Sequence, residues 1–520
     1  MEKYVTFIKE ACKKRENQIF FLIILLALAI RLYFFFRTYN QALWWDEADY
    51  MSIAKHYGYG AAEVAAPWRA RGMSLLFGIL YFFGANEIFQ RLVVVAFSLG
   101  AVILTYFLGK ELYSKKVALV AAAIMSLSLV HLFWTTRFSG EVFGLVFFGL
   151  AALFFWKGYV KDKSKWYMVA SGVLIGYGIF LYESVGVFFI FIAVYLLLTE
   201  RFKFLKNKKF WWGMLGLSIM LLFVFTHYYS LYGQIYPRVS HVIEGSLAQG
   251  TELDQKLSQQ GLLSVALTSF TFFYPTAMLD YLQWALLSML LIGILLFTDI
   301  FIGFDMVMKN ENEKLRKDFF LFWWALATLL FFGAYLAVTN AYYEPRYIFP
   351  ALPALFIIAA RGIVYISEYI EKYKKHTGVI AIVLILLIIG YTQLTFANTL
   401  IENKKGSFSQ ERPAGDWLKE HTKEGDILLA CSQVVPLVYY SEREVITYRY
   451  NTSEVDDQIK NWSVPYIVVD AYIQDCNVNY VQERAANLTP VQVYYEGQYV
   501  VMAIYETTGY EKLKEKEDNS

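Results

Sequence analysis

Apolar residues come in runs of about twenty, separated by short stretches dense in lysine and arginine, and this alternation persists to about residue 400. Coiled as an α-helix, a run of that length matches the hydrocarbon thickness of a bilayer. The pattern predicts eleven spans, at 18–36, 88–108, 117–135, 142–156, 166–181, 185–198, 210–229, 278–302, 319–338, 347–366 and 379–396. The run at 73–83 is too short to cross. Laying 67–84 in the interface makes 38–86 one long external loop with interfacial amphipathic helices. A second external loop, 230–275, is polar and carries a short apolar helix at 262–273.

Beyond residue 400 the periodicity changes. Short helical patterns at 414–421, 434–440 and 454–462 alternate with short β-rich runs at 426–430, 445–448, 466–470, 491–495 and 499–505. Alternating elements of this kind predict a small α/β domain. The expected organisation is a polytopic α-helical membrane domain over 1–400, followed by an extracytoplasmic α/β domain over 401–520.

Composition agrees with the pattern. Of 520 residues, 57% are hydrophobic and 18% aromatic, and mean hydropathy is +0.40, which excludes an ordinary soluble globular class. A net charge of +2 says little, but its placement sets an orientation. Lys3, Lys9, Lys13, Lys14 and Arg15 precede the first span, so the N-terminus is expected in the cytoplasm and the C-terminal domain outside the plasma membrane. The first apolar run is too long for a cleavable signal. No nucleic-acid partner is expected. Three cysteines, Cys12, Cys431 and Cys476, are too few for a disulfide framework. Cys431 and Cys476 either pair in an oxidising space or remain buried thiols. Sequons at Asn451, Asn461 and Asn487 fit an external tail.

This threading gathers a limited set of polar residues at the external face. Asp46, Glu47 and Asp49 lie in Trp44-Trp45-Asp46-Glu47-Ala48-Asp49-Tyr50; Arg137 and Glu141 lie in Thr136-Arg137-Phe138-Ser139-Gly140-Glu141. Tyr182 and Glu183 cap a tight hairpin, and His227, Arg238 and His241 fall on or near the second long loop. Glu344 and Arg346 lie in Tyr342-Tyr343-Glu344-Pro345-Arg346-Tyr347. Carboxylates at a membrane face are costly to place. Such a set suits a lipid-linked phosphosugar, whose prenyl tail stays in the bilayer while its phosphate sits at the interface. A carboxylate can take a proton from an acceptor hydroxyl, and an arginine or a divalent metal can neutralise the leaving phosphate. Singly, each acid also reads as a solvated loop residue, Asp49 above all. Arg137 reads as an interfacial snorkel, Arg346 as an anchor to headgroups, and the histidines as ordinary interfacial residues.

Taken together, four stretches carry a family resemblance. They are Asp46-Glu47; Asn86-Glu87-Ile88-Phe89-Gln90-Arg91-Leu92 with the later Tyr106-Phe107-Leu108-Gly109-Lys110-Glu111-Leu112-Tyr113; Arg137 to Glu141; and Glu344-Pro345-Arg346-Tyr347-Ile348-Phe349-Pro350-Ala351-Leu352-Pro353. Over most of 20–400 the chain resembles the GT-C glycosyltransferases of the protein O-mannosyltransferase and aminoarabinose transferase group, families 39 and 83. The resemblance implies inverting transfer of a mannose-like hexose or related sugar. The donor would be a polyprenyl- or dolichyl-phosphate sugar, and the acceptor a glycan, glycolipid or protein at the external face. It implies Asp46 as general base and Glu141 as the second-loop acid; on the reading adopted from these residues, Glu141 positions the acceptor and Glu47 assists the base or binds a metal. Arg346 and Arg137 would hold the donor phosphate. Whether a divalent metal takes part is left open. Ala66-Pro67-Trp68-Arg69 departs from the Pro-Pro common in relatives, which puts the acceptor contacts in doubt. The rival readings are a transporter or flippase for lipid-linked sugars and a non-catalytic envelope assembly protein. A transporter is expected to place its ionisable residues near the midplane on repeated halves, whereas these acids cluster at one face and the chain shows no repeat.

Overall fold

Leucine, isoleucine and phenylalanine crowd the first long helix from Ile19 to Phe36, so it has no polar stripe and suits lipid on most of its circumference. The structure is a computed structural model. It describes residues 14–64, 67, 69–236, 264, 278–302, 313–339, 345–448, 451–471 and 479–507. The expectations at Arg238, His241, Glu344, Cys12, Cys476 and the helix at 262–273 lie outside the described residues.

In chain order the helices are α1 (Arg15–Thr38), α2 (Trp45–Tyr59), α3 (Gly72–Phe82), α4 (Glu87–Leu112), α5 (Lys115–Leu127), α6 (Leu129–Phe133), α7 (Gly140–Phe155), α8 (Lys165–Leu181), α9 (Val187–Glu200) and α10 (Lys208–Tyr232). They continue with α11 (Met278–Ile300), α12 (Glu313–Thr339), α13 (Leu352–Glu371) and α14 (Thr377–Lys404). Among the described residues, eight helical runs are long and apolar enough to cross a membrane: α1, α4, α7 with its π-helical end, α9 with its flanking turns, α10, α11, α13 with its preceding turn, and α14. The chain is an integral membrane protein. The compact units are interleaved along the sequence. One comprises Met1–Arg37, Arg91–Thr136 and Gly140–Ile401; the other comprises Thr38–Gln90, Arg137–Ser139 and Glu402–Ser520.

Two expected spans of the first unit are realised differently. The run 117–135 is broken: α5 has 13 residues, Ser128 is extended, and α6 has 5 residues. Serines near the break favour bonds to local backbone over helix continuation, and Ser126 Oγ donates to Ala122 O at 2.7 Å. A helix break in lipid leaves backbone groups that need partners. Leu129 N donates to Gln393 Oε1 at 2.8 Å, and Gln393 Nε2 donates to Leu282 O at 2.9 Å. Arg31 donates to Ser98 Oγ at 2.8 Å and to Ala27 O at 3.0 Å. The run 166–181 forms α8, which at 17 residues is a short apolar helix. It crosses α10 closely because the contact is made of glycine. A Cβ on Gly172 would lie 2.0 Å from Gly213 O, and one on Gly216 would lie 2.1 Å from Val169 O. Small residues let backbones approach where dispersion, not hydrophobic burial, binds helices together.

The second unit is built on a five-stranded mixed sheet. Beyond residue 402 its main helices and strands are α15 (Glu411–His421), β1 (Ile427–Ala430), α16 (Val434–Ser441), β2 (Glu444–Thr447), α17 (Thr452–Trp462), β3 (Tyr466–Asp470), β4 (Thr489–Glu496) and β5 (Tyr499–Glu506), with one helical turn at Tyr480–Glu483. The order is β2-β1-β3-β5-β4, with β1 parallel to β2 and β3, and β5 antiparallel to β3 and β4. Helices cross over between the parallel strands, while the last two strands form a hairpin turning at Gly497, whose φ is +63°. The predicted α/β tail is therefore present, strand by strand. Segment 38–90 packs into this same unit. Ala62 and Val64 lie against a core that includes Leu428, Val468 and Met502. Lys55 donates to Tyr439 O and pairs with Glu442, both at 2.8 Å, and Arg412 pairs with Glu87 at 2.8 Å. The stretch read from sequence as interfacial loop is thus tied to the sheet. α3, at 11 residues, is too short to span.

Candidate active site

The acidic motif opens α2, with Asp46 and Glu47 in its first turn. The unpaired amides and dipole of a helix start favour negative charge there. The three carboxylates nevertheless have different surroundings. Glu47 is buried, and its oxygens are taken by protein donors: the Trp44 amide at 2.9 Å, the Phe138 amide at 2.8 Å and Arg137 at 3.3 Å. The Arg137 guanidinium lies 3.7 Å from the centre of the Trp44 ring, a favourable cation–π geometry. Asp49, which read as a solvated bystander, is buried and paired with Arg69. Asp46 keeps 35% of its side-chain surface exposed, and one oxygen accepts from Arg69 Nη2 at 3.1 Å.

Arg69 is the residue the sequence reading overlooked. It bridges Asp46 and Asp49 and lies over the Tyr50 ring at 5.3 Å. Burial works against its charge, but Asp49 and Asp46 hold its guanidinium above the ordinary arginine value. The signal was in the sequence. The first loop carries the acids Asp46, Glu47, Asp49 and Glu63 with arginines at 69 and 71, and Arg71 pairs with Glu63 at 3.0 Å.

In the membrane unit, Glu141 stands in the first turn of α7. Tyr182 Oη donates to Glu141 Oε1 at 3.4 Å, and Arg346 Nε lies 3.5 Å from the same oxygen. Arg346 also lies 5.8 Å from the Trp134 ring. Tyr182 reaches Glu141 because α7 begins with glycine: a Cβ on Gly140 would fall 2.5 Å from the tyrosine ring. Two residues expected in the site for different tasks, Glu141 and Arg346, are therefore brought together. Arg137, expected beside Arg346 as a second phosphate holder, is instead buried and directed at Glu47.

A metal fits these residues poorly. Among the described residues, no three His, Cys, Asp or Glu side chains converge as a metal-binding group. Asp46 and Asp49 already face a guanidinium, which repels a cation.

The sequence profile of the family described as dolichyl-phosphate-mannose-protein mannosyltransferase matches residues 66–229. Among solved structures, the chain is similar to ArnT from Cupriavidus metallidurans, crystallised with undecaprenyl phosphate: TM-score 0.62 at 12% identity, covering 93% of this chain and 97% of that one. It is also similar to an oligosaccharyltransferase of Archaeoglobus fulgidus tethered with an acceptor peptide: TM-score 0.60 at 13% identity, covering 89% of this chain and 70% of that one. The chain shares the fold of these two membrane glycosyltransferases. No curated protein matches it by sequence. At such low identity the solved structures establish the GT-C fold, and the profile begins just after the acidic motif and includes Arg69, Arg137 and Glu141.

Proposed function

We propose that this GT-C protein transfers a mannose-like hexose or related sugar from a polyprenyl- or dolichyl-phosphate donor to a glycan, glycolipid or protein acceptor at the external face of the membrane, with inversion at the anomeric carbon. The observation that carries the reading is the contrast among three neighbouring carboxylates. Glu47 and Asp49 are buried and committed to protein donors, and Asp46 alone is substantially exposed while still oriented by an arginine. Asp46 takes the proton of the acceptor as its oxygen attacks the sugar C1. The bond from C1 to the phosphate oxygen breaks, and the lipid phosphate leaves with the bonding electrons. The lipid-phosphate donor is supported by the family description and by similar structures holding undecaprenyl phosphate or dolichol-phosphate.

In this scheme Arg346 neutralises the leaving phosphate and Glu141 holds Arg346 in place. Losing a charge-assisted contact of this kind costs about 1.5–3 kcal/mol, or roughly 10–150-fold. Arg346→Ala is therefore expected to raise the KM for the lipid donor by about that factor while leaving acceptor KM unchanged. Equal donor KM in variant and wild type would remove Arg346 from the site. The assay is transfer of label from polyprenyl-phosphate sugar in proteoliposomes. Label that crosses the bilayer without forming a new glycosidic bond would favour the transporter instead.

The C-terminal unit is assigned outside the cell. The basic clusters between spans support that side, as does the disulfide-bonded state of Cys431, since disulfides persist in oxidising spaces. A tag after residue 520 should be accessible to an impermeant reagent in intact cells, and protection of the tag reverses the orientation.

A further inference from the structure

The first turn of α15 carries a carboxyl that the proposed chemistry does not use. Glu411 is 1% exposed, and its Oε2 has no hydrogen-bond partner. The chain around it is fastened to the approach to the acidic motif. The next residue, Arg412, donates to Gln41 O at 3.3 Å, and Leu43 N donates to the Tyr440 hydroxyl of α16 at 2.9 Å. The charges of Asp470 at the end of β3 and of Glu47 on α2 both bear on Glu411. On its own helix Arg412 is directed to Glu87, and on α16 the Tyr439 hydroxyl donates to Glu87 at 3.2 Å. The anionic neighbours have their own donors. Asp470 accepts from the Ser432 hydroxyl at 2.6 Å and from its amide at 3.2 Å, and Glu47 accepts from Trp44, Phe138 and Arg137. A third negative charge in this buried group would have no cation directed at it among those contacts.

We propose that Glu411 is a positioning residue for the acidic start of α2: in its protonated form it lets Glu47 stay seated on Arg137 and the Phe138 amide, and its ionisation loosens the Asp46–Glu47 turn. Burial first, then Asp470 and Glu47, push the Glu411 carboxyl up to about 9. A carboxyl raised in the folded state contributes stability that is complete below its ordinary range, near 4.3, and is lost as pH rises through the raised value. The loss therefore falls between mild acid and about pH 9, and the turn comes free at the top of that window.

Hydrogen exchange followed by mass spectrometry on the full-length protein in detergent tests this. The amides of Trp44 and Phe138, which both bond Glu47, should lose protection near pH 9 after correction for intrinsic exchange, while the α8–α10 helices keep theirs. Glu411→Gln, neutral at every pH, should keep both amides protected through pH 10. If the variant does not fold, the wild-type titration alone decides: unchanged protection of these two amides through pH 10 overturns the proposal. Identical profiles in variant and wild type overturn it as well. The exchange arm does not depend on catalysis. The activity arm rests on Asp46 as base and expects the alkaline fall in transfer to disappear in Glu411→Gln. Loss of activity in Asp46→Asn with amide protection unchanged through pH 10 sinks the Glu411 claim alone, and full activity in Asp46→Asn with the loss of protection near pH 9 sinks the Asp46 claim alone.

Discussion

Asp46→Asn is expected to lower sugar transfer by roughly 10²–10⁴-fold, the usual contribution of a positioned general base, with little change in thermal stability. The asparagine side chain has nearly the same shape, and its carbonyl oxygen still accepts from Arg69 Nη2, which lies 3.1 Å from the native carboxylate. What it cannot do is take a proton. Because Asp46 is partly exposed, exchanging it leaves no buried charge without a partner. The effect should appear in kcat, since the base acts in the transition state and contributes little to ground-state binding. Parallel assays of Asp46→Asn and Asp49→Asn distinguish the two acids that share Arg69. Full turnover in the first with loss only in the second would transfer the role to Asp49, and turnover in both would end the assignment of the base to this pair.

Glu47→Ala is expected to show the opposite profile, a loss of structure before a loss of chemistry. Removing this carboxylate leaves Arg137 buried without its counter-ion and takes the acceptor from the Trp44 and Phe138 amides. Breaking a buried pair by deleting one partner costs about 3–5 kcal/mol. The variant should unfold at a clearly lower temperature in detergent and should be cut more readily within 38–90. Glu47→Gln retains an amide oxygen for a backbone donor and should fall between wild type and alanine. Wild-type stability in Glu47→Ala would show that the contacts to Arg137 and Phe138 are not what hold the turn. Together these two exchanges separate adjacent residues that the sequence presents as a matched pair.

The membrane class, most helical runs and the α/β tail were readable in order along the chain, because each depends on local periodicity: twenty-residue apolar runs for the bilayer, shorter alternating segments for the sheet. The broken run at 117–135 was not readable that way. Its mean apolarity satisfies a span, yet two serines and the acceptor supplied by Gln393, distant in sequence, favour a break. The same limit applies to the site. A row of Asp46, Glu47 and Asp49 looks chemically uniform in sequence, and hydropathy does not tell which carboxylate meets solvent.

The sequence by itself determined that this is a polytopic membrane protein with an α/β tail, and it singled out the acidic motif, Glu141 and Arg346. These are properties of composition and of short-range pattern. Only the tertiary structure decided how the surroundings of the carboxylates differ: Arg69 arrives from 20 residues beyond Asp49, and Phe138 and Arg137 from about 90 beyond Glu47. It also decided that segment 38–90 packs with the tail. The reason is physical. Whether an acid is exposed, paired or kept protonated depends on which charges and donors folding brings within a few ångströms, and those come from parts of the chain whose spacing carries no local signal.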